Sequence, residues 1–249
     1  MKIIAVIPAR MGSSRFPGKP LEPILGKPMI EHVYKRAAMS PILDEVYLAT
    51  CDQEIIDATS SFGGKPIMTA NTHERASDRT AEAITDLDAD IVVMVQGDEP
   101  MLHPDMISEA LAPYKSDSTI PCVNLSKRIE EESDFNSPST IKVVTDLENN
   151  ALYMSRQPIP SVDESEFSAI TAIKQVCIMP FRREILSLFA TLEPTPLEIS
   201  ESIDMMRFIE HGVRVHMVPT SFDTLAVDTP EDLARVEALM REDPLIKSY

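Results

Sequence analysis

Arg10, Arg15 and Lys19 fall in a stretch punctuated by Gly12 and Gly18, within a chain of formal charge -17. The first 21 residues carry Lys2 with these three cations and no acid, so an island of positive charge opens an acidic protein. Glycines let a backbone approach a ligand closely. The N–H groups of Gly12, Ser13 and Ser14 can then converge with Arg10, Arg15 and Lys19 on phosphate oxygens. The plain alternative is a solvated loop whose charges bind nothing. Two phosphate motifs are excluded. Five residues separate Gly12 from Gly18 and Pro20 follows the lysine, so the spacing and hydroxyl of a P-loop are missing, and the Gly-x-Gly-x-x-Gly dinucleotide fingerprint is absent.

Gln96-Gly97-Asp98-Glu99-Pro100 ends the β-branched run Ile91 to Val95. Glycine allows a sharp turn there and aims Asp98 out of the strand. A carboxylate beside a triphosphate repels it unless a divalent cation lies between, so Asp98 reads as a magnesium ligand, against the alternative of a solvent-exposed bend.

The positioning elements alternate. Ile3 to Ile7 is a short apolar strand cut by Pro8, and 26–39 reads as a helix with Pro28 in its first turn. Strands are expected over 45–50, 66–68, 91–95 and 118–124, and helices over 52–58 and 104–113. A further helix should be capped by Ser77 or Asp78. Residues 127–136 read as a loop, 140–145 with 151–155 as a hairpin, 174–182 and 213–219 as strands, and Thr229-Pro230 as the opening of a last helix. Such alternation implies right-handed crossovers, a mainly parallel sheet covered on both faces, and ligands at the strands' carboxyl ends.

Ala9 to Leu21 resembles the signature of the sugar-acid cytidylyltransferases, in particular the 3-deoxy-manno-octulosonate (KDO) cytidylyltransferases, and Val95 to Pro100 matches the same family. The resemblance covers essentially the whole chain. It implies an α/β, Rossmann-like three-layer nucleotidyltransferase fold, 1–249 as one domain, and a smaller inserted β-region at about 125–180 serving dimerisation and sugar binding. It further implies Mg2+ as cofactor, a homodimer, and transfer of CMP from CTP to an acidic eight-carbon sugar for lipopolysaccharide synthesis. By the same resemblance Ala9, Arg10, Gly12, Ser13, Arg15, Lys19, Ser77, Arg79, Gln96 and Asp98 contact the nucleotide. Arg10, Lys19 and Asp98 carry the catalysis, Asp98 and Asp228 hold the metal, and Arg156 clamps the sugar carboxylate.

The sugar half departs from the family pattern. Gln175 stands where a histidine is usual, Met179 and Phe181 replace tyrosines, and Asp204 and Met205 replace glutamate and glutamine. Changes confined to one side of a site imply a changed ligand on that side. The branch acting on 8-amino-3,8-dideoxy-manno-octulosonate is therefore expected, with Gln175, Asp204 and Met205 in its pocket. KDO itself, with these changes as drift, is the alternative, followed by another sugar acid or a non-catalytic nucleotide binder.

Composition bounds the class. At 43% hydrophobic and 25% charged residues, 249 residues make an ordinary globular domain. The acidic balance argues against nucleic acid as a partner. No apolar run approaches a membrane span, so a cytoplasmic protein is expected. Cys51, Cys122 and Cys177 suggest reduced, mostly buried thiols, and the five histidines show no zinc spacing.

Overall fold

The computed structural model describes residues 1–13, 15–162 and 167–249. In chain order the strands are β1 (Ile3–Pro8), β2 (Pro23–Ile24), β3 (Lys27–Pro28), β4 (Glu45–Thr50), β5 (Pro66–Met68), β6 (Ile91–Val95), β7 (Cys122–Arg128), β8 (Lys142–Thr145), β9 (Ala151–Ser155), β10 (Ile173–Val176), β11 (Ile178–Arg182) and β12 (Val215–Pro219). The helices are α1 (Met29–Ala38), α2 (Gln53–Ser61), α3 (Ala76–Ala83), α4 (Pro104–Leu111), α5 (Glu132–Asn136), α6 (Arg183–Phe189), α7 (Pro196–Glu201), α8 (Met205–Glu210) and α9 (Pro230–Glu242).

The sheet runs β5-β4-β1-β6-β11-β7-β10-β8-β9, with β12 on β7, while β2 and β3 form a separate ribbon. Strands β5, β4, β1 and β6 are mutually parallel, and β12 is parallel to β7. This is the expected mainly parallel α/β core. Period-two alternation sorts its residues between two layers. Ile3, Ala5, Ile7, Ile91, Val93 and Val95 face α1 and α4, whereas Ile4, Val6, Val92 and Met94 face α3, α6 and α8.

The stretch of about 125–180 extends this same sheet. Strands β8, β9 and β10 continue it in antiparallel order, and the expected 140–145/151–155 hairpin is present as β8–β9. Several boundaries differ from expectation for local reasons. The strand placed at 118–124 begins only at Cys122, because Pro121 has no N–H to give the ladder, and it runs on to Arg128. Of the expected 127–136 loop, the last five residues form α5. The single strand expected at 174–182 is broken at Cys177, and both halves pair with β7, Val176 opposite Leu125 and Phe181 opposite Cys122. Helix α1 starts three residues later than expected, since Lys27 and Pro28 belong to the ribbon.

Gly97 sets how closely the ends of β1 and β6 approach. A Cβ there would stand 2.8 Å from the Pro8 carbonyl oxygen and 3.1 Å from Ile30 Cδ1. Gly97→Ala is expected to cost about 1–3 kcal/mol of stability in urea unfolding, as overpacking does. Gly12→Ala, with open space around it, should leave the midpoint unchanged.

Candidate active site

A cavity of about 380 Å³ opens at the carboxyl ends of β1 and β6. Ala9, Arg10, Gly12, Ser13, Arg15 and Lys19 line one wall, Gln96, Asp98 and Asp228 the floor, and Arg79 and Arg156 the far side. Parallel strands end here because each βα crossover returns on the helical faces and leaves this edge open. The loop after β1 is tied down at its start, where the Met11 N–H donates to Asp52 Oδ2 at 2.7 Å, and closed where the Gly18 N–H donates to the Met11 carbonyl. Gly18 has φ 77°, which its lack of a Cβ permits. The Ser13 N–H also donates to Met11 O, so this amide is committed within the loop instead of facing a phosphate. Ser14 lies outside the described residues.

The cationic loop meets the carboxylates directly. Lys19 Nζ is 2.9 Å from Asp98 Oδ2 and 3.5 Å from Asp228 Oδ1, and Arg15 Nη2 is 2.9 Å from Asp228 Oδ1. The backbone locks this pairing: the Val227 N–H donates to Asp98 O, and Lys19 Nζ donates to Val227 O at 2.6 Å. Asp228 is free for the cavity because Thr229 caps α9. The Thr229 hydroxyl accepts from the Asp232 N–H, and the Asp232 carboxylate accepts from the N–H groups of Asp228 and Thr229.

Magnesium fits this donor set. Two carboxylates converge on one point that an ammonium already marks, and both offer the hard oxygens that Mg2+ takes. Among the described residues no group of three or more histidine, cysteine or acidic side chains could cage a metal alone. Glu99, next in the chain, is of a different kind. It is buried, and desolvation, reinforced by the Asp98 charge, pushes its carboxyl up to about 8.

Other expected residues sit elsewhere. Ser77 is fully buried, and its N–H and hydroxyl donate to the Asp204 carboxylate at 3.0 and 2.9 Å. This corrects the expected cap: α3 begins at Ala76, and the carboxylate serving its first turn comes from Asp204, across the fold. Desolvation pushes the Asp204 carboxyl up, against the pull of the two Ser77 hydrogen bonds. Met205 is completely buried in the core beneath α8. Neither Asp204 nor Met205 lines the cavity. Gln175 lines a second cavity of about 200 Å³ that shares Asp228 with the first and also meets Glu99 and Lys174.

Sequence reasoning missed the scaffold behind the far wall. Arg207 is buried and donates to both Glu198 oxygens at 2.7 Å and to Asp78 at 3.0 Å, with its guanidinium 4.0 Å from the Phe189 ring centroid. Although burial opposes its charge, these carboxylates raise the Arg207 pKa. Glu198 also pairs with Arg75 at 3.3 Å, and Arg75 reaches the cavity. Arg79 donates to the Thr69 hydroxyl at 2.6 Å. The partners of Asp78 and Ser77 lie more than a hundred residues away, and no local spacing announces them. Cys122 is buried, Cys51 and Cys177 are half-buried, and all three are free; His73 reaches the cavity and pairs with Glu82. No described helix is long and apolar enough to cross a membrane.

The chain is similar to known proteins over most of its length. A family model described as cytidylyltransferase matches residues 4–215. A 3-deoxy-manno-octulosonate cytidylyltransferase of Geobacter metallireducens is 46% identical over 245 residues, 95% of this chain and 96% of the relative. One of Pelobacter propionicus is 46% identical over 250 residues, 97% of this chain and 98% of the relative. A solved structure described as CMP:2-keto-3-deoxy-manno-octonic acid synthetase complexed with CTP superposes with a TM-score of 0.89 at 40% identity, covering 97% of this chain and 99% of that one. The fold alone is shared with 4-diphosphocytidyl-2C-methyl-D-erythritol synthase from Anaerococcus prevotii, at a TM-score of 0.65 and 15% identity. With identity running from end to end of the cavity-bearing chain, this nucleotidyltransferase belongs to the cytidylyltransferase family, among the 3-deoxy-manno-octulosonate cytidylyltransferases.

Proposed function

We propose that the protein transfers CMP from CTP to the anomeric 2-hydroxyl of a 3-deoxy-octulosonic acid. The hydroxyl oxygen attacks the α-phosphorus while its proton is released to solvent, the bond from that phosphorus to the α–β bridging oxygen breaks, and pyrophosphate leaves. The observation that carries this reading is the convergence of Lys19 and Arg15 with Asp98 and Asp228 at one point of a basic-walled cavity. Arg10, Arg15 and Lys19 neutralise the triphosphate and the departing pyrophosphate. Asp98 and Asp228 would hold Mg2+, which supplies charge at the α-phosphate and lowers the pKa of the hydroxyl. Gln96, Ala9, Gly12, Ser13 and Arg79 shape the nucleotide side, and Arg156 receives the sugar carboxylate. No side-chain nucleophile is needed, since positioning and charge stabilisation carry phosphoryl-type transfer. A homodimer assembled partly through residues of about 125–180, and a place in the cytoplasm for lipopolysaccharide synthesis, belong to the same reading.

The finer proposal is that the sugar bears an amine at its terminal carbon. Support comes from Gln175. Both amide protons of Asn124 are spent on the Leu125 and Val176 carbonyls, at 2.8 Å each, so its oxygen must accept from Gln175 Nε2 at 2.6 Å. Gln175 therefore offers its carbonyl oxygen to whatever enters the second cavity. Glu99 lines the same cavity, and its Oε2 is buried with no partner among the described residues. The Gln175 oxygen accepts and does not donate, and an ammonium beside Glu99 would favour the ionised form of a carboxyl that burial otherwise pushes up, so the two together favour a donor-only ammonium over a hydroxyl. Asp204 and Met205 lie away from both cavities and lend this reading no support.

Asp98→Asn and Asp228→Asn should each lower kcat/KM for CTP by at least about 100-fold, with unfolding midpoints close to wild type. Turnover near wild type in either would remove that residue from the metal site. Chelation of divalent cations should stop pyrophosphate release, and Mg2+ should restore it. With CTP and Mg2+ held fixed, 8-amino-3,8-dideoxy-manno-octulosonate should give the higher kcat/KM than KDO. The reverse preference would leave the transfer standing and make KDO the substrate.

A further inference from the structure

Arg156 is held more firmly than a surface arginine needs to be. Its Nε donates to the Glu201 carbonyl at 2.8 Å, Nη1 to the Pro138 carbonyl at 3.0 Å, and Nη2 to the Ser202 carbonyl at 3.3 Å. A guanidinium has five N–H donors, so among the described residues one on each terminal nitrogen has no partner, leaving two donors for a carboxylate. The cavity is lined by Arg156 and Ser202 together.

Two devices fix that geometry. The first is the Glu201 side chain. Its Oε2 accepts from the Arg156 N–H at 2.9 Å, and its Oε1 accepts from the Tyr153 and Ser155 hydroxyls, both at 2.9 Å. One carboxylate thus gathers the end of β9 and sets where the Arg156 side chain departs. Burial alone would raise the Glu201 carboxyl, but these hydrogen bonds and the Arg156 charge hold it below the usual range. The second device is the turn after α7. Ser202 caps that helix at φ 54° and ψ 50°, a left-handed conformation that costs a residue with a Cβ free energy and persists only where the surroundings impose it. There the carbonyls of Glu201 and Ser202 meet Arg156, and the Ser202 hydroxyl accepts from Arg75 Nη1 at 2.7 Å. Arg75 and Arg156, two of the three arginines that line this side of the cavity, therefore both meet the Glu201–Ser202 turn.

We propose that Glu201 is a positioning residue for sugar recognition, holding Arg156 so that its two remaining donors face the carboxylate of the incoming sugar acid. This rests on the reading of Arg156 as the carboxylate receptor. Glu201 touches neither substrate; it acts through Arg156.

The test is steady-state kinetics on the full chain with CTP, Mg2+ and the sugar acid, with unfolding midpoints in parallel. Glu201→Ala should raise the KM for the sugar about 10-fold or more and leave the KM for CTP within about two-fold. Glu201→Gln should recover most of the loss, because the Tyr153 and Ser155 hydroxyls can turn to accept from its amide while its oxygen keeps the Arg156 N–H. The double variant Arg156→Ala/Glu201→Ala should be no worse than Arg156→Ala alone, the non-additivity of residues acting as a unit. Tyr153→Phe removes one donor without touching the backbone and should raise the sugar KM about three-fold, which keeps the test open if Glu201→Ala fails to fold. Equal losses in both KM values, or additive losses in the double variant, would overturn the proposal. A sugar KM unchanged by Arg156→Ala would instead overturn the reading of Arg156 beneath it.

Discussion

Two aspartates far apart in the chain, Asp98 and Asp228, are brought to one point, and bringing like charges together is unfavourable unless cations lie between them. The protein meets this constraint with its own loop: Lys19 stands between Asp98 and Asp228, and Arg15 takes the second contact of Asp228. Much of the surrounding architecture serves that point. Gly97 lets β6 end hard against β1, the Asp98 carbonyl holds the Val227 N–H, and Thr229 with Asp232 caps α9 so that Asp228 has no capping duty. The same cations that balance the carboxylates line the wall where a triphosphate would lie.

The far side of the cavity is built on a different principle. There the arginines are carried by helix termini and by buried ion pairs whose partners come from α3, α7 and α8. Arg207 is buried with Glu198 and Asp78, a pairing whose desolvation cost is offset only because every charge meets a partner at hydrogen-bond distance. Such a network specifies one arrangement of α7 and α8 against α3. The Glu201–Ser202 turn extends it to Arg75 and Arg156.

The cationic wall and the carboxylates of the cavity were legible in the sequence because their positions are set locally. The loop from Ala9 to Leu21 and the turn at Gln96 to Pro100 each follow a strand of unmistakable apolar pattern, and Asp228 adjoins a Thr-Pro helix start. The second cavity was only half legible. Gln175 was found through a departure from the family pattern, but Asp204 and Met205 departed from it for reasons of packing: one carboxylate satisfies the start of α3, and one methionine fills the core. Position in a motif does not say which way a side chain points. Glu201 and Ser202 were invisible for the converse reason, since their contacts are made far away in sequence, to β9 and Arg156 about 45 residues back and, for Ser202, to Arg75 127 residues back. Strand boundaries failed where proline or a break interrupted the ladder, at Pro121 and Cys177.

Asp98 and Asp228 are proposed to hold one divalent cation together against the triphosphate. Anomalous diffraction from Mn2+ in crystals grown with CTP tests it most directly. A peak is expected within coordination reach of both carboxylates and of an α-phosphate oxygen, with Arg10 and Lys19 on the β- and γ-phosphates. A cation bound to the phosphates alone, or to one aspartate with the other still paired to Lys19, would contradict it.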